Sequence, residues 1–147
     1  MHLAQLNLAR LAAPLTDARL ADFVAGLPKI NGIADTAPGF VWRLVDDEGS
    51  DATSLRPFGS DVIVNLTVWE SIETLRAFAF KSEHLDYLRR RREWFVPYGD
   101  LYAVNWWIPV GHRPTVEEAR DRLNRLRADG STPVAFTLRA PFPMPTG

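Results

Sequence analysis

The stretch Val62-Ile63-Val64-Asn65-Leu66-Thr67-Val68-Trp69 decides the fold. Val62, Val64, Leu66 and Val68 lie on one side of an extended chain, and Ile63, Asn65, Thr67 and Trp69 on the other, which is the period of a β-strand. One side is wholly aliphatic. The other mixes an amide and a hydroxyl with large apolar groups. The same period runs through Leu3 to Leu11, with Ala4, Leu6 and Leu8 against Gln5, Asn7 and Ala9. Phe40 to Val45 repeats it, placing Phe40, Trp42 and Leu44 opposite Val41, Arg43 and Val45. Tyr102 to Val110 makes a fourth strand, with Trp106 and Trp107 on opposite faces.

Helical patterns separate these strands. Asp17 is an N-cap for a helix through Leu20, Phe23, Val24 and Leu27, which Pro28 should kink or restart before Pro38-Gly39 ends it. Ser71 caps a second helix carrying Ile72, Leu75 and Phe78, and a further helical segment from Ser82 carries Leu85, Leu88 and Trp94. The order is strand, helix, strand, strand, helix, strand, which predicts an α+β, ferredoxin-like βαββαβ fold with an antiparallel sheet. Thr115-x-x-Glu118 is a capping box that opens an extra C-terminal helix with a stripe of Val116, Ala119, Leu123 and Leu126. Residues 133–147 hold four prolines and read as an extended tail, with a short edge strand at Ala135 to Leu138. No linker or repeat divides the chain, so residues 1–147 are expected to form a single domain. The helices are expected on one face of the sheet. The other face, rich in aliphatics and Trp, then needs a cover, and pairing as a homodimer is the simplest one.

Composition narrows the function. The net charge of −1 gives no basic excess, so no nucleic-acid partner is expected. The chain has no cysteine, which excludes thiolate nucleophiles, disulfides and cysteine-ligated metals and fits a cytoplasmic setting. The opening residues Met1 to Asn7 lack the basic and apolar runs of a signal peptide. No apolar run reaches the roughly 18 residues of a bilayer span, so no membrane partner is expected.

The run Val62 to Ser71, followed by Phe78 and Ser82-Glu83-His84, resembles the third strand and second helix of the dimeric α/β-barrel superfamily. That superfamily includes antibiotic-biosynthesis monooxygenases and haem-degrading monooxygenases. A wider pattern comprises His2 to Asn7, Pro38-Gly39-Phe40-Val41-Trp42-Arg43, Arg89 to Phe95, and Trp106-Trp107 followed by Pro109 to Thr115. Across nearly the whole chain it resembles one family of that type, known as a domain of unknown function. The resemblance implies a dimeric α/β barrel. It also implies, if the chain is an enzyme, a cofactor-independent monooxygenase-like or isomerase-like conversion of an aromatic or polyketide-like substrate. The haem-degrading branch uses an Asn on the first strand, matched by Asn7, with a Trp and a His on the second helix. Here those two positions are Ala77 and Tyr87.

Laid side by side, the strands collect Gln5, Asn7, Arg43, Asn65, Thr67, Asn105 and Trp107 on one face. Ala4, Leu6, Leu8, Phe40, Trp42, Leu44, Val64, Leu66, Val68, Val104, Trp106 and Ile108 gather on the other. A face of amides with a guanidinium and an indole suits a small-molecule pocket, a hydrated interface or solvent. In the scheme the resemblance suggests, His84 moves a proton, Arg43 fixes an anionic group, and Asn7, Gln5 and Asn65 bind substrate oxygens. Trp69, Tyr102 and Trp107 form aromatic walls. A non-catalytic dimer that binds a ligand or serves a structural role, and a haem binder, are the alternatives. The three histidines are scattered, so no metal site is expected. No glycine-rich phosphate loop or G-x-S-x-G motif is present. Arg89 to Arg92 reads as a solvated helix face paired with Asp86 and Glu93.

Overall fold

The computed structural model describes residues 1–47, 49, 51–80, 85–86 and 89–146. Among them, five strands form one antiparallel sheet. Its centre is β1 (His2–Leu11), flanked on one side by β3 (Val62–Trp69) and beyond it by β2 (Phe40–Arg43). The other side of β1 pairs with β5 (Ala103–Ile108) and, at its far end, with the two-residue β4 (Phe95–Val96). Four helices accompany the sheet among the described residues: α1 (Ala21–Asp35), α2 (Ile72–Ala79), α3 (Arg91–Trp94) and α4 (Val116–Asp129). The architecture is the ferredoxin-like α+β arrangement that the element order predicts.

Register decides what each face holds. Residues paired across neighbouring strands share a face, so Gln5 opposite Thr67 and Asn105, and Asn7 opposite Asn65, put all five on the same side. One expected position moves. Phe40 pairs with Trp69 and Trp42 with Val68, with a register shift between them. The bulge at Val41 inserts one residue, so Phe40 turns to the polar face and packs on Trp69 while Trp42 faces the aliphatic side. Arg43, opposite Thr67, keeps its expected face.

Helix α1 runs through Pro28 without restarting there. The hydrogen bond that proline cannot give belongs to the carbonyl of Val24, an exposed residue where water can replace it. Asp17 caps the short 3₁₀ turn Ala18–Leu20 ahead of the helix by accepting from the Arg19 backbone N–H. The turn into β2 needs Gly39, whose φ is +81° and where a Cβ would collide with the Thr74 side chain. Helix α2 starts with a reciprocal capping box between Ser71 and Thr74.

The helices do not all lie on one face. The aliphatic face is covered by the chain's own α4, whose Ala119, Leu123 and Leu126 pack with Leu6, Leu8, Val64, Val104 and Trp106. Each leucine buried this way contributes roughly 1.5–3 kcal/mol. The cover for which a second copy was the simplest expectation is supplied on this face by the extra helix. The segment 55–58 joins it, with Arg120 of α4 lying over the Phe58 ring and donating to the Pro57 carbonyl. The tail pairs Phe136 with Asn105 through backbone bonds of 2.8 and 2.9 Å, closing the outer edge of β5.

The Thr115–Glu118 box forms by half. Thr115 accepts from the Glu118 backbone, but the Glu118 carboxylate turns away from the cap to accept from Trp106 Nε1 at 2.8 Å and to pair with His112 at 2.6 Å. Trp106 is wholly buried, so its indole N–H depends on that carboxylate. Glu118→Ala should lower stability by about 2 kcal/mol in urea unfolding, and Glu118→Gln, which keeps an acceptor, should recover most of the loss.

Candidate functional site

The mixed face of the sheet is ordered along the strands. At one end Leu3, Trp69, Ile72, Leu75 and Phe136 form a buried cluster joined by Phe40, Phe78 and Trp107. At the other end Leu11, Leu20 and Trp94 form a second, joined by Phe23, Ile63 and Phe95. Between them run two polar rows. One crosses four strands as Arg43, Thr67, Gln5 and Asn105, and the next pairs Asn65 with Asn7.

Helix α1 stands off this band. Its inward stripe of Phe23, Leu27 and Ile30 is only half-buried, because a cavity of about 220 Å³ separates it from the sheet. The floor is Asn7, Ala9, Ile63 and Asn65, and α1 adds Asn31 among its apolar contacts. Trp94 and Phe95 close one end, with Phe23 packed against both at ring-centroid distances of 5.4 and 5.2 Å. Arg43, Asp51 and Thr53 line the other. Asn7 and Asn65 lie in the middle of central strands yet remain exposed, and their side chains make no hydrogen bond to a described residue. Amides in a covered sheet normally find partners; these face open space instead.

Arg43 does not present an uncommitted charge. Its Nε donates to Asp35 Oδ1 at 2.7 Å and its Nη2 to Asp35 Oδ2 at 3.3 Å, a two-pronged bond between β2 and the last residue of α1. A carboxylate in the last helical turn opposes the helix dipole, and the guanidinium offsets that. The other end of α1 is tied by Arg90, which binds Asp22 and Glu93 at 2.8 Å each and covers the Trp94 ring. Arg90 holds the Glu93 carboxyl below its ordinary value of 4.5. The Glu93–Arg90 contribution is therefore complete above that value and is lost as pH falls through the lower native one. Acid titration should loosen the Trp94 end of α1 first, seen as a change in the Trp94 indole resonance. Glu93→Gln should flatten that response.

The eight residues named from the sequence separate. Asn7, Arg43 and Asn65 line the cavity. Gln5 lies in the adjoining row, outside the lining. Trp69 is wholly buried, stacked on Phe78, with its Nε1 donating to Thr67 Oγ1 at 3.0 Å, so it is core and not a wall. Trp107 is clamped under the tail by a 3.0 Å bond from its Nε1 to the Phe142 carbonyl. Tyr102 is exposed beside Tyr98, away from the cavity. His84 lies outside the described residues, as do residues 82, 83, 87 and 88 of the helical segment expected from Ser82, whose end forms α3. Of the other histidines, His2 opens β1 and His112 pairs with Glu118.

The aromatic walls are instead Phe23, Trp94 and Phe95, and Asn31 is an additional amide. Asn31 falls four residues after Leu27 on the apolar stripe of α1, a spacing visible in the sequence. The described lining contains no His, Tyr, Met or Cys, so these residues do not fit an iron-ligated haem.

Asn65→Val tests whether the floor amide is structural. Because that amide has no partner among the described residues, the variant should lose no stability and gain up to about 1 kcal/mol by urea unfolding. A loss above about 1 kcal/mol would assign Asn65 a role in the fold.

Known proteins share this architecture. A protein of unknown function from Nitrosomonas europaea matches with a TM-score of 0.51 at 13% identity, over 78% of this chain and 95% of that one. A putative antibiotic biosynthesis monooxygenase from Chloroflexus aurantiacus J-10-fl matches at 0.49 and 20% identity, over 78% and 98%. SnoaB, a cofactor-independent oxygenase from Streptomyces nogalater, matches at 0.48 and 17%, over 78% and 96%. At 13% identity the likeness to the Nitrosomonas europaea protein is one of fold. No curated protein matches the chain. The model of a family described as a domain of unknown function, DUF3291, matches residues 2–147, and the chain belongs to that family.

Proposed function

We propose that the chain binds a small, largely aromatic molecule in the cavity beneath α1 and acts on it as a cofactor-independent, oxygenase-like enzyme. One observation carries the binding half: a directly opposed pair of asparagines, Asn7 and Asn65, left without partners among the described residues on the floor of a space walled by Phe23, Trp94 and Phe95. Aromatic walls supply contact area, and a few convergent amides orient the ligand's oxygens. Donors aimed at an oxygen that gains negative charge would also stabilise an enolate or phenolate, as an oxyanion site does.

The catalytic half rests on the superfamily resemblance and on His84. The titratable groups among the described lining residues are Arg43 and Asp51, and a guanidinium is a poor base. His84, with its ordinary pKa near 6.5, is the residue we assign to proton movement. A non-catalytic ligand-binding protein would use the same cavity without it.

Thermal-shift screening with bicyclic phenols should identify a ligand, and saturation about 100-fold above Kd should add roughly 2.7 kcal/mol of stability. Ala9→Phe, which fills the floor, should abolish the shift. Oxygen uptake with that ligand, in the absence of metal or flavin, should fall about 10²-fold in His84→Ala. Binding without uptake in the wild type would leave a binding protein.

A further inference from the structure

The charges around the cavity are set against an anion. Arg43 is the one cation among the described lining residues, and the Asp35 carboxylate already meets it in a fork at 2.7 and 3.3 Å. Asp51 adds a second carboxylate at the rim. Its Oδ1 accepts from the Thr53 backbone at 2.8 Å and hydroxyl at 2.6 Å, and no described cation pairs with it. Among the described residues, one positive group therefore stands with two negative ones. The rest of the described polar lining is neutral: the carboxamides of Asn7, Asn31 and Asn65, each able both to donate and to accept, and the Thr53 hydroxyl, whose proton goes to Asp51.

We infer that the cavity selects a neutral ligand bearing both a hydrogen-bond donor and an acceptor, of the phenol or enol–ketone type, over its carboxylate counterpart. The Asp35–Arg43 pair and Asp51 determine that choice. The inference rests on the cavity being the ligand site. It replaces the sequence-based expectation that Arg43 fixes an anionic group. An incoming carboxylate would compete for the guanidinium with one that is covalently tethered and well aligned, and it would meet the Asp51 charge as it entered. A neutral phenol meets neither cost and satisfies the unpartnered amides. Rejection of the wrong charge by residues that do not bind the right ligand is specificity by repulsion.

The test compares 2-naphthol with 2-naphthoate near neutral pH, by quenching of protein fluorescence, on the full chain. The wild type should bind 2-naphthol about tenfold or more tightly than 2-naphthoate. Asp35→Asn and Asp51→Asn each remove one negative charge, and each should move the ratio toward 2-naphthoate by about tenfold, with 2-naphthol affinity within about twofold. Asp51→Asn keeps the acceptor of the Thr53 turn, so it carries the test should Asp35→Asn fail to fold. An unchanged ratio overturns the charge selection and leaves the cavity reading intact, provided 2-naphthol still binds and Ala9→Phe blocks it. Failure of the wild type to bind either probe overturns both.

Discussion

The pairing of β1 with β3 governs everything else in the molecule. Leu6 lies opposite Leu66 and Asn7 opposite Asn65, so one side of two central strands is aliphatic and the other carries the amides. A slip of one residue would carry Leu6, Leu8, Val64 and Leu66 onto the wrong side, out of the packing with α4. The hydrophobic effect thus fixes the register from the aliphatic face. The amides on the reverse face are placed by a decision in which they take no part. That separation lets the floor of the cavity vary without endangering the sheet.

The second constraint is how α1 is held. A helix normally gains its place by burying an apolar stripe, but here Phe23, Leu27 and Ile30 are only half-buried above open space. Charged contacts at the two ends compensate: Asp22 with Arg90 at the first turn and Asp35 with Arg43 at the last. Exposed pairs of this kind are individually weak, typically below about 1 kcal/mol, but Arg43 is mostly buried and its bond is two-pronged. Phe23 adds the aromatic contacts that anchor the Trp94 end. The helix is fixed at its termini and held off the sheet along its middle, which is the geometry a roof over a cavity requires.

Much of this arrangement was legible in the sequence because strand alternation is read residue by residue. β3 needed no adjustment, and the amides at 5, 7, 65 and 105 share a face because their parity within each strand is unambiguous. The features that escaped are those depending on contacts between distant segments. The bulge at Val41 leaves the composition of β2 unremarkable, yet it turns Phe40 over. Alternation also cannot separate a wall from a core: Trp69 shares its face with Asn65 and Thr67 but lies four residues beyond Asn65, under α2. Nor does anything local to Thr115-x-x-Glu118 reveal that the carboxylate will serve a buried indole instead of its own helix terminus.

The site's position follows from those same long-range contacts. The polar band could have been buried, with its amides paired to one another, had α1 settled onto the sheet. Trp94 and Phe95 prevent this by occupying one end, where β4 continues the edge of β1 and brings two large rings beneath Phe23. At the opposite end Trp69, Phe78 and the tail residue Phe136 pack on the same face beneath α2. The Trp94–Phe95 support at one end of α1 and the Asp35–Arg43 tie at the other leave a gap above a strip of short amide side chains. The cavity is therefore a consequence of side-chain size along β1 and β3: large at both ends and small and polar in the middle. The amides keep their hydrogen-bonding capacity because the supports hold the helix beyond their reach.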